Sequence, residues 1–537
     1  MFMQNKKRIE IGKIVGGSLG EGLIVRINDF ADLEEIKSGK FVIVCGQKNT
    51  LFSLITDIQL EVTDGQIMKL PPPDAHSILH KILQIKDIFA LIRLKPMIAL
   101  DEKNNILPVK TIACHFSSVT HATAEDVSNV FGSEEKNNKY FNIGCPLDMN
   151  APVCIDLEKI TERSNGIFGK TGTGKTFVTR LLLAGLVGNK KAVNLIFDMH
   201  SEYGLQARKE GSSHFVKGLK TLFPSSVVIC SLDATSTRRR GTNPDITLTL
   251  SYEDIHVEDI LSLQEELNLH ATACEAAYLL SAKFKEQWLL ELLNNGDKLK
   301  DFAFLIGAHP ESLAALYRKL KRLEYLPFFK PKNSGNSAIN QILDYLARDI
   351  SVIIEFGNFT STFVYLLIAN IITRRIHAAY IEKTELFLGS QDPAQEPKKL
   401  LITIEEAHKF LNPQAAKQTI FGIIAREMRK YYVSLLIVDQ RPSSIDQDVL
   451  SQIGTKLVAQ LNDDKDIAAV LTGVSNAAQL KTVLASLDTK QQLLILGHAT
   501  PMPIVVQTRP YDEKLYESFM QKQHYTKTTD ELINEVY

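Results

Sequence analysis

The octapeptide GKTGTGKT, Gly169 to Thr176, constrains the fold of this chain more than any other feature. It fits the pattern GxxxxGK[ST], which works only between a β-strand and the helix that follows it. The flanks agree: apolar NGIF (165–168) precedes it, and FVTRLLLAGLV (177–187) follows with helical character. Glycines at 169, 172 and 174 let the backbone bend so that successive N–H groups point at phosphate oxygens. The helix N-terminus adds its positive end to the same place. Lys175 is expected to reach the β- and γ-phosphates, and the Thr176 hydroxyl to hold Mg2+. Gly169, Lys170, Thr171, Gly172, Thr173, Gly174, Lys175, Thr176 and Phe177 thus form the expected ATP-binding segment.

A strand–loop–helix unit needs a sheet to sit in, and the surrounding sequence supplies one. From Ala151 onward, apolar runs alternate with helical stretches: NGIFG (165–169), VNLIF (193–197), SVVIC (226–230), ISVIIEF (350–356), LLITI (400–404), SLLIV (434–438), KLVAQL (456–461) and LLILG (493–497). Near-continuous apolar strands separated by helices indicate an α/β domain whose parallel sheet is covered on both faces. Residues 250–345 lack strong strands and read as a helical insertion, with helical spacing around Cys274–Leu293. ELFLGSQDPAQEPKK (385–399) is expected to be a surface loop.

Ahead of this domain, IGKIVGG (11–17), GLIVRI (22–27), GKFVIVCG (39–46) and LFSLITDI (51–58) are short strands punctuated by glycine, which suggests a small β-barrel or sandwich. SEEKNNK (133–139) and GCPLDMNAP (144–152) lead out of it. The expected organisation is a barrel domain with connector over 1–150, an ATPase domain over 151–510 and a polar C-terminal tail over 511–537.

Composition narrows the function classes. With 537 residues, 45% of them hydrophobic and 23% charged, more than one packed domain is expected. A formal net charge of −1 excludes a broadly basic nucleic-acid coat, so any such contact must come from a local patch. The basic runs are Arg238–Arg240 and RKLKR (318–322). None of the six cysteines forms a CxxC pair, which argues against zinc and thiol-redox motifs. No signal-peptide pattern opens the chain, and no apolar run reaches the roughly 18 residues a membrane span needs. A reducing cytoplasm and no membrane partner are expected.

The remaining chemistry lies at strand ends. LLITIEEAH, Leu400 to His408, places two carboxylates just beyond a buried strand. A P-loop enzyme needs one acid in the Mg2+ shell and another to orient the attacking water. Glu405 is assigned to the metal shell, in place of the aspartate more usual there, and Glu406 to water activation. FDMHSEYG (197–204) sets Asp198 at another strand end, where it can line the nucleotide crevice. SLLIVDQRPSSID (434–446) offers Gln440 as a sensor of the γ-phosphate, and IAREMRKYY carries Arg426, Arg429 and Lys430, positive side chains able to complete a neighbouring subunit's site.

These segments, together and in this order, resemble the HerA branch of the HerA/FtsK motor ATPases. The motif-bearing parts are 151–230 and 345–510, and QRPSSIDQDVLSQ is the most family-specific stretch. The N-terminal strands are similar to that family's small barrel. The resemblance implies a RecA-like core and a homohexamer with ATP sites between subunits and double-stranded DNA in the pore. It also implies a partner nuclease of the NurA type, or another effector in antiviral defence. Carried over residue by residue, Lys175 and Thr176 match the Walker A pair, and Glu405 and Glu406 the acidic pair. Asp198 matches the first acid of an Asp-x-His-Gly-Glu-Tyr stretch in which Ser201 here replaces glycine. The trans arginine falls in REMRK, where Met428 replaces the usual glycine; Arg426 and Arg429 remain alternatives, with Arg429 preferred. An ATP-driven DNA translocase or helicase is therefore the expected function. The alternatives are an ATP-dependent ring scaffold for an effector and a type IV secretion-like protein motor.

Overall fold

The computed structural model describes residues 8–28, 33–63, 88–208, 215–332, 337–417, 419–474, 477–488 and 491–525. The chain divides into two units, Met1–Ile155 with Thr500–Gln507, and Asp156–Ala499 with Thr508–Tyr537.

In the first unit, six antiparallel strands close on themselves. Glu10–Ser18 pairs with Ser118–His121, then follow Phe41–Cys45, Thr50–Val62, Ile88–Leu100 and Gly22–Ile27, which returns to the first strand. Closure removes the open edges that short strands would otherwise present. Alternate residues such as Leu23, Val25, Val42, Val44, Leu51, Ile55, Ile92 and Leu94 fill the interior. The last pairing is tight. Gly22 has φ +96°, and a Cβ there would lie 2.5 Å from the Leu94 carbonyl oxygen, so only glycine passes. The expected boundary at 150 falls inside this unit, in which Tyr140–Pro146, Val153–Asp156 and Ile504–Thr508 are further strands that pair side by side. Thr500–Gln507, expected in the ATPase domain, packs with the first unit instead.

The second unit is built on a sheet with the order Ile246–Thr247, Val227–Ser231, Ser351–Glu355, Val193–Asp198, Leu400–Glu405, Val433–Asp439, Asn165–Phe168, Thr455–Val458 and Gln492–Gly497. Every pairing is parallel except the last. All eight apolar runs expected as strands are among them. This is a RecA-like P-loop core. Its decisive feature is that one strand, Val433–Asp439, separates the P-loop strand from the acidic strand. Parallel pairing then delivers the three strand ends, and the loops after them, to one edge.

The helical insertion runs from Val257–Leu261 to Ala338–Ala347. Trp288, fully buried, donates its indole N–H to the Ile255 carbonyl at 2.9 Å. Arg374 of the long helix Thr362–Ser390 grips Asp259 through two hydrogen bonds of 2.9 and 2.6 Å. That helix corrects the loop expected from residue 385. Nothing in YIEKTELFL breaks a helix, and it stops only where Gln391 turns left-handed at φ +53°. The polar tail is also corrected. Glu513–Tyr525 is a helix in which Leu515, Tyr516 and Phe519 are buried, and the Phe519 ring lies 5.2 Å from that of Phe223. Among the described residues, no helix is long and apolar enough to cross a membrane. Cys45, Cys114, Cys230 and Cys274 are free thiols.

Candidate active site

The P-loop is pinned between two strand ends. Gly169 N–H donates to the Asp439 carbonyl at 3.3 Å, and Lys170 N–H to the Gln460 carbonyl at 3.0 Å. Gly172 and Gly174 take φ +80° and +88°, the conformation that turns successive N–H groups into one concavity. Thr173 braces the bend by donating its hydroxyl to the Lys170 carbonyl at 2.8 Å. Lys175 lies over the same carbonyl at 3.0 Å, placing its ammonium at the loop's mouth. Thr176 follows in the first turn of helix Lys175–Gly188. Phe177 packs edge-on against Tyr511, with ring centroids 6.0 Å apart.

The two adjacent glutamates diverge because their backbones differ. Glu405 ends its strand, whereas Glu406 has φ +49°. A left-handed non-glycine residue costs roughly 1–2 kcal/mol and is typical of functional sites. This twist turns Glu406 toward the P-loop. Its Oε1 accepts from Gln440 Nε2 at 2.8 Å, and Gln440 Oε1 in turn accepts from the Thr171 hydroxyl at 2.6 Å. The expected base, the expected sensor and the phosphate loop therefore form one hydrogen-bonded chain. His408 stands on the other side of the carboxylate, Nδ1 3.7 Å from Glu406 Oε2. Buried Asp439 holds that ring at 2.9 Å, and this bond pulls the His408 pKa above its ordinary value.

Glu405 is buried at the end of its strand. Its Oε1 accepts from Tyr203 Oη at 2.6 Å. Its Oε2 is buried without a hydrogen-bond partner among the described residues. Tyr365 Oη clamps its main chain, accepting from Glu405 N–H at 3.1 Å and donating to Glu405 C=O at 3.2 Å. Burial, reinforced by Asp198, pushes the Glu405 carboxyl up to about 8. A buried carboxyl oxygen with no hydrogen-bond partner among the described residues fits a role in a Mg2+ shell.

Asp198 is fully buried, and its two oxygens accept from Glu202 N–H at 2.8 Å and Tyr203 N–H at 2.9 Å. Both acceptor atoms shape the 198–203 turn. Burial, with Glu355 beside it, raises its pKa to about 7. Glu355 is neutralised by an ion pair with Arg240, so that arginine of the basic run is not free for nucleic acid. Arg322 of the second run lies 3.5 Å over the Phe363 ring.

Of the two trans candidates, Arg426 donates to the Ala416 carbonyl at 3.0 Å. Arg429 lies in the turn Met428–Tyr431, and its side chain falls outside the described residues. Sequence reading missed the parts played by Tyr203, Tyr365, His408 and Asp439. Three of these sit inside motifs already singled out; Tyr365, in the first turn of a long helix, carries no local signal.

Residues 141–376 match the family described as "Helicase HerA, central domain". The chain is 25% identical over 509 residues to the DNA double-strand break repair helicase HerA of Sulfolobus acidocaldarius, covering 90% of each chain. It is 24% identical over 532 residues to the protein of the same name from Sulfurisphaera tokodaii, covering 94% of each. Among solved structures, VirB4 of Thermoanaerobacter pseudethanolicus aligns with a TM-score of 0.46 and 14% identity, over 71% of this chain and 99% of that one.

Proposed function

We propose, on the premise that this chain is a HerA-type ATPase of the P-loop class, that it is a ring-forming motor driving movement along double-stranded DNA. The reading rests chiefly on the chain Thr171–Gln440–Glu406, which ties the phosphate loop to the base through a residue suited to sense the γ-phosphate. The DNA substrate is inferred from the names of relatives that match some nine-tenths of the sequence.

In this reading the P-loop N–H groups and Lys175 bind the phosphates of ATP, and Glu406 accepts the proton of the attacking water. Gln440 holds the Glu406 carboxylate in place. Thr176 and Glu405 are the residues that would hold Mg2+, whose charge offsets that building up on the phosphate oxygens. Arg429 of a neighbouring subunit completes the site, which requires a closed, head-to-tail homohexamer. A nuclease of the NurA type, or a defence effector, is the partner on the ring.

The test is ATP turnover by the confirmed hexamer at low salt with duplex DNA, single strands, a protein substrate or nothing added. Duplex should stimulate most, and stimulation should fade steeply with salt, as expected for phosphate contacts. A rate indifferent to nucleic acid would remove the motor reading and leave a ring scaffold for an effector.

A further inference from the structure

The geometry points to Tyr203 as a positioning residue for the metal shell: its hydroxyl occupies Glu405 Oε1 and leaves Oε2 as the one acceptor available to a Mg2+-bound water. This deepens the proposed function and rests on the assignment of Glu405 to that shell.

Three observations converge on it. First, Tyr203 is fully buried, and its 2.6 Å bond to Glu405 spans 202 residues of sequence, so the contact is made by the fold and not by proximity along the chain. Second, the turn that delivers Tyr203 is built for the purpose. Asp198 accepts from the N–H groups of both Glu202 and Tyr203, and Ser201 adopts φ +57° to bring the chain round. Third, Tyr365 holds the Glu405 peptide on both its N–H and C=O, so the main chain is fixed and only the side-chain torsions are left for Tyr203 to set. Among the described residues, Glu405 Oε2 is buried and finds no hydrogen-bond partner.

The free oxygen gives the arrangement its logic. A carboxylate in a P-loop site acts on Mg2+ through water, because the ion dehydrates reluctantly and keeps several waters. Such a water needs an acceptor at a fixed place. Without the Tyr203 hydroxyl, Glu405 has two equivalent vacant oxygens and freedom about its terminal torsion. Outer-shell partners that fix a metal-binding group typically govern affinity by about tenfold or more. Asp198 acquires a role in the same stroke: the first acid of the FDMHSEYG stretch acts on the site through the tyrosine five residues on, not by touching nucleotide.

The experiment is Tyr203→Phe, which keeps the ring and deletes only the hydroxyl. Binding of a fluorescent ATP analogue is measured in EDTA and across a Mg2+ titration, with melting temperature followed alongside. Affinity in EDTA should match wild type, while the Mg2+ concentration at half-effect rises about tenfold. Glu405→Gln should raise it too, and adding Tyr203→Phe to Glu405→Gln should raise it no further, since the two act as a unit. A folded Tyr203→Phe protein with an unaltered Mg2+ titration overturns the inference, whatever its turnover. Weakened binding already in EDTA also overturns it, because the hydroxyl would then serve the nucleotide pocket. Should Tyr203→Phe fail to fold, the Mg2+ titration of Ser201→Pro, which disturbs the turn but keeps the hydroxyl, decides in the same sense. Failure of the ATPase reading itself looks different: wild type would then show no EDTA-resistant binding sensitive to Lys175→Ala.

Discussion

Gln440 donates to Glu406 at 2.8 Å while accepting from Thr171 at 2.6 Å, so the carboxylate proposed to activate water is held by a group that also touches the phosphate loop. One amide thereby reports the state of the loop to the base. Glu406→Gln should leave ATP binding within a few-fold of wild type and lower turnover by about 10²-fold or more. Gln440→Leu, which removes the tether but not the base, should lower turnover by about tenfold with similar binding. Phosphate-release assays beside analogue binding check both. Near-normal turnover in Gln440→Leu would mean that Glu406 is placed by its own backbone alone.

The trans arginine is open to a mixing experiment. Arg429→Ala and Glu406→Gln should each be inactive as pure rings. Mixed rings contain some interfaces that join an intact Arg429 to an intact Glu406, so part of the activity should return. No recovery, with subunit exchange verified, would assign the role to Arg426 or place the arginine in the same subunit as its nucleotide.

Lys456 gives a pH signature independent of nucleotide. It is buried in the strand beside the P-loop strand and donates to the carbonyls of Val470 and Thr472 at 2.9 and 3.1 Å. Those carbonyls lie at the C-terminal end of helix Asp464–Val470, where positive charge is favoured. Burial nonetheless lowers its pKa to about 8, against an ordinary 10.5. Between these values the unfolded chain holds a proton that the folded protein has released. Stability therefore rises with pH through this window. Relative to Lys456→Met, which has no such proton, wild type should gain on the order of 1 kcal/mol between pH 7.5 and 9.5 in denaturant titrations. An unchanged difference between the two proteins would show that Lys456 titrates alike folded and unfolded.

Ser201 holds a left-handed conformation, φ +57°, in the turn that carries Tyr203. An L-residue there costs roughly 1–2 kcal/mol, and glycine escapes that strain at an entropic cost of about 0.5–1 kcal/mol in the unfolded chain. Ser201→Gly should thus stabilise by up to about 1 kcal/mol, and Ser201→Val should destabilise by more than that. Thermal melts of the two variants check the order; a destabilised Ser201→Gly would show that the serine hydroxyl contributes more than the backbone strain costs.

The sequence by itself determined what depends on neighbours along the chain. Glycines at 172 and 174 permit the left-handed backbone of the phosphate loop, and apolar runs such as LLITI and SLLIV can only be buried strands, because these properties are local. The presence of two acids after Leu400–Ile404 is equally local. Which way each acid faces is not. Glu406 turns to Gln440 because Val433–Asp439 lies between the acidic and P-loop strands, and that order is set by packing across the whole sheet. Tyr203 reaches Glu405 across 202 residues and Tyr365 across 40, contacts that no spacing rule along the chain encodes. The same reason explains the two misreadings at 385–390 and after Tyr511. Whether such a segment is loop or helix depends on the neighbours it packs against and not on its own composition, and Leu515 and Phe519 find their place only once the second unit is assembled.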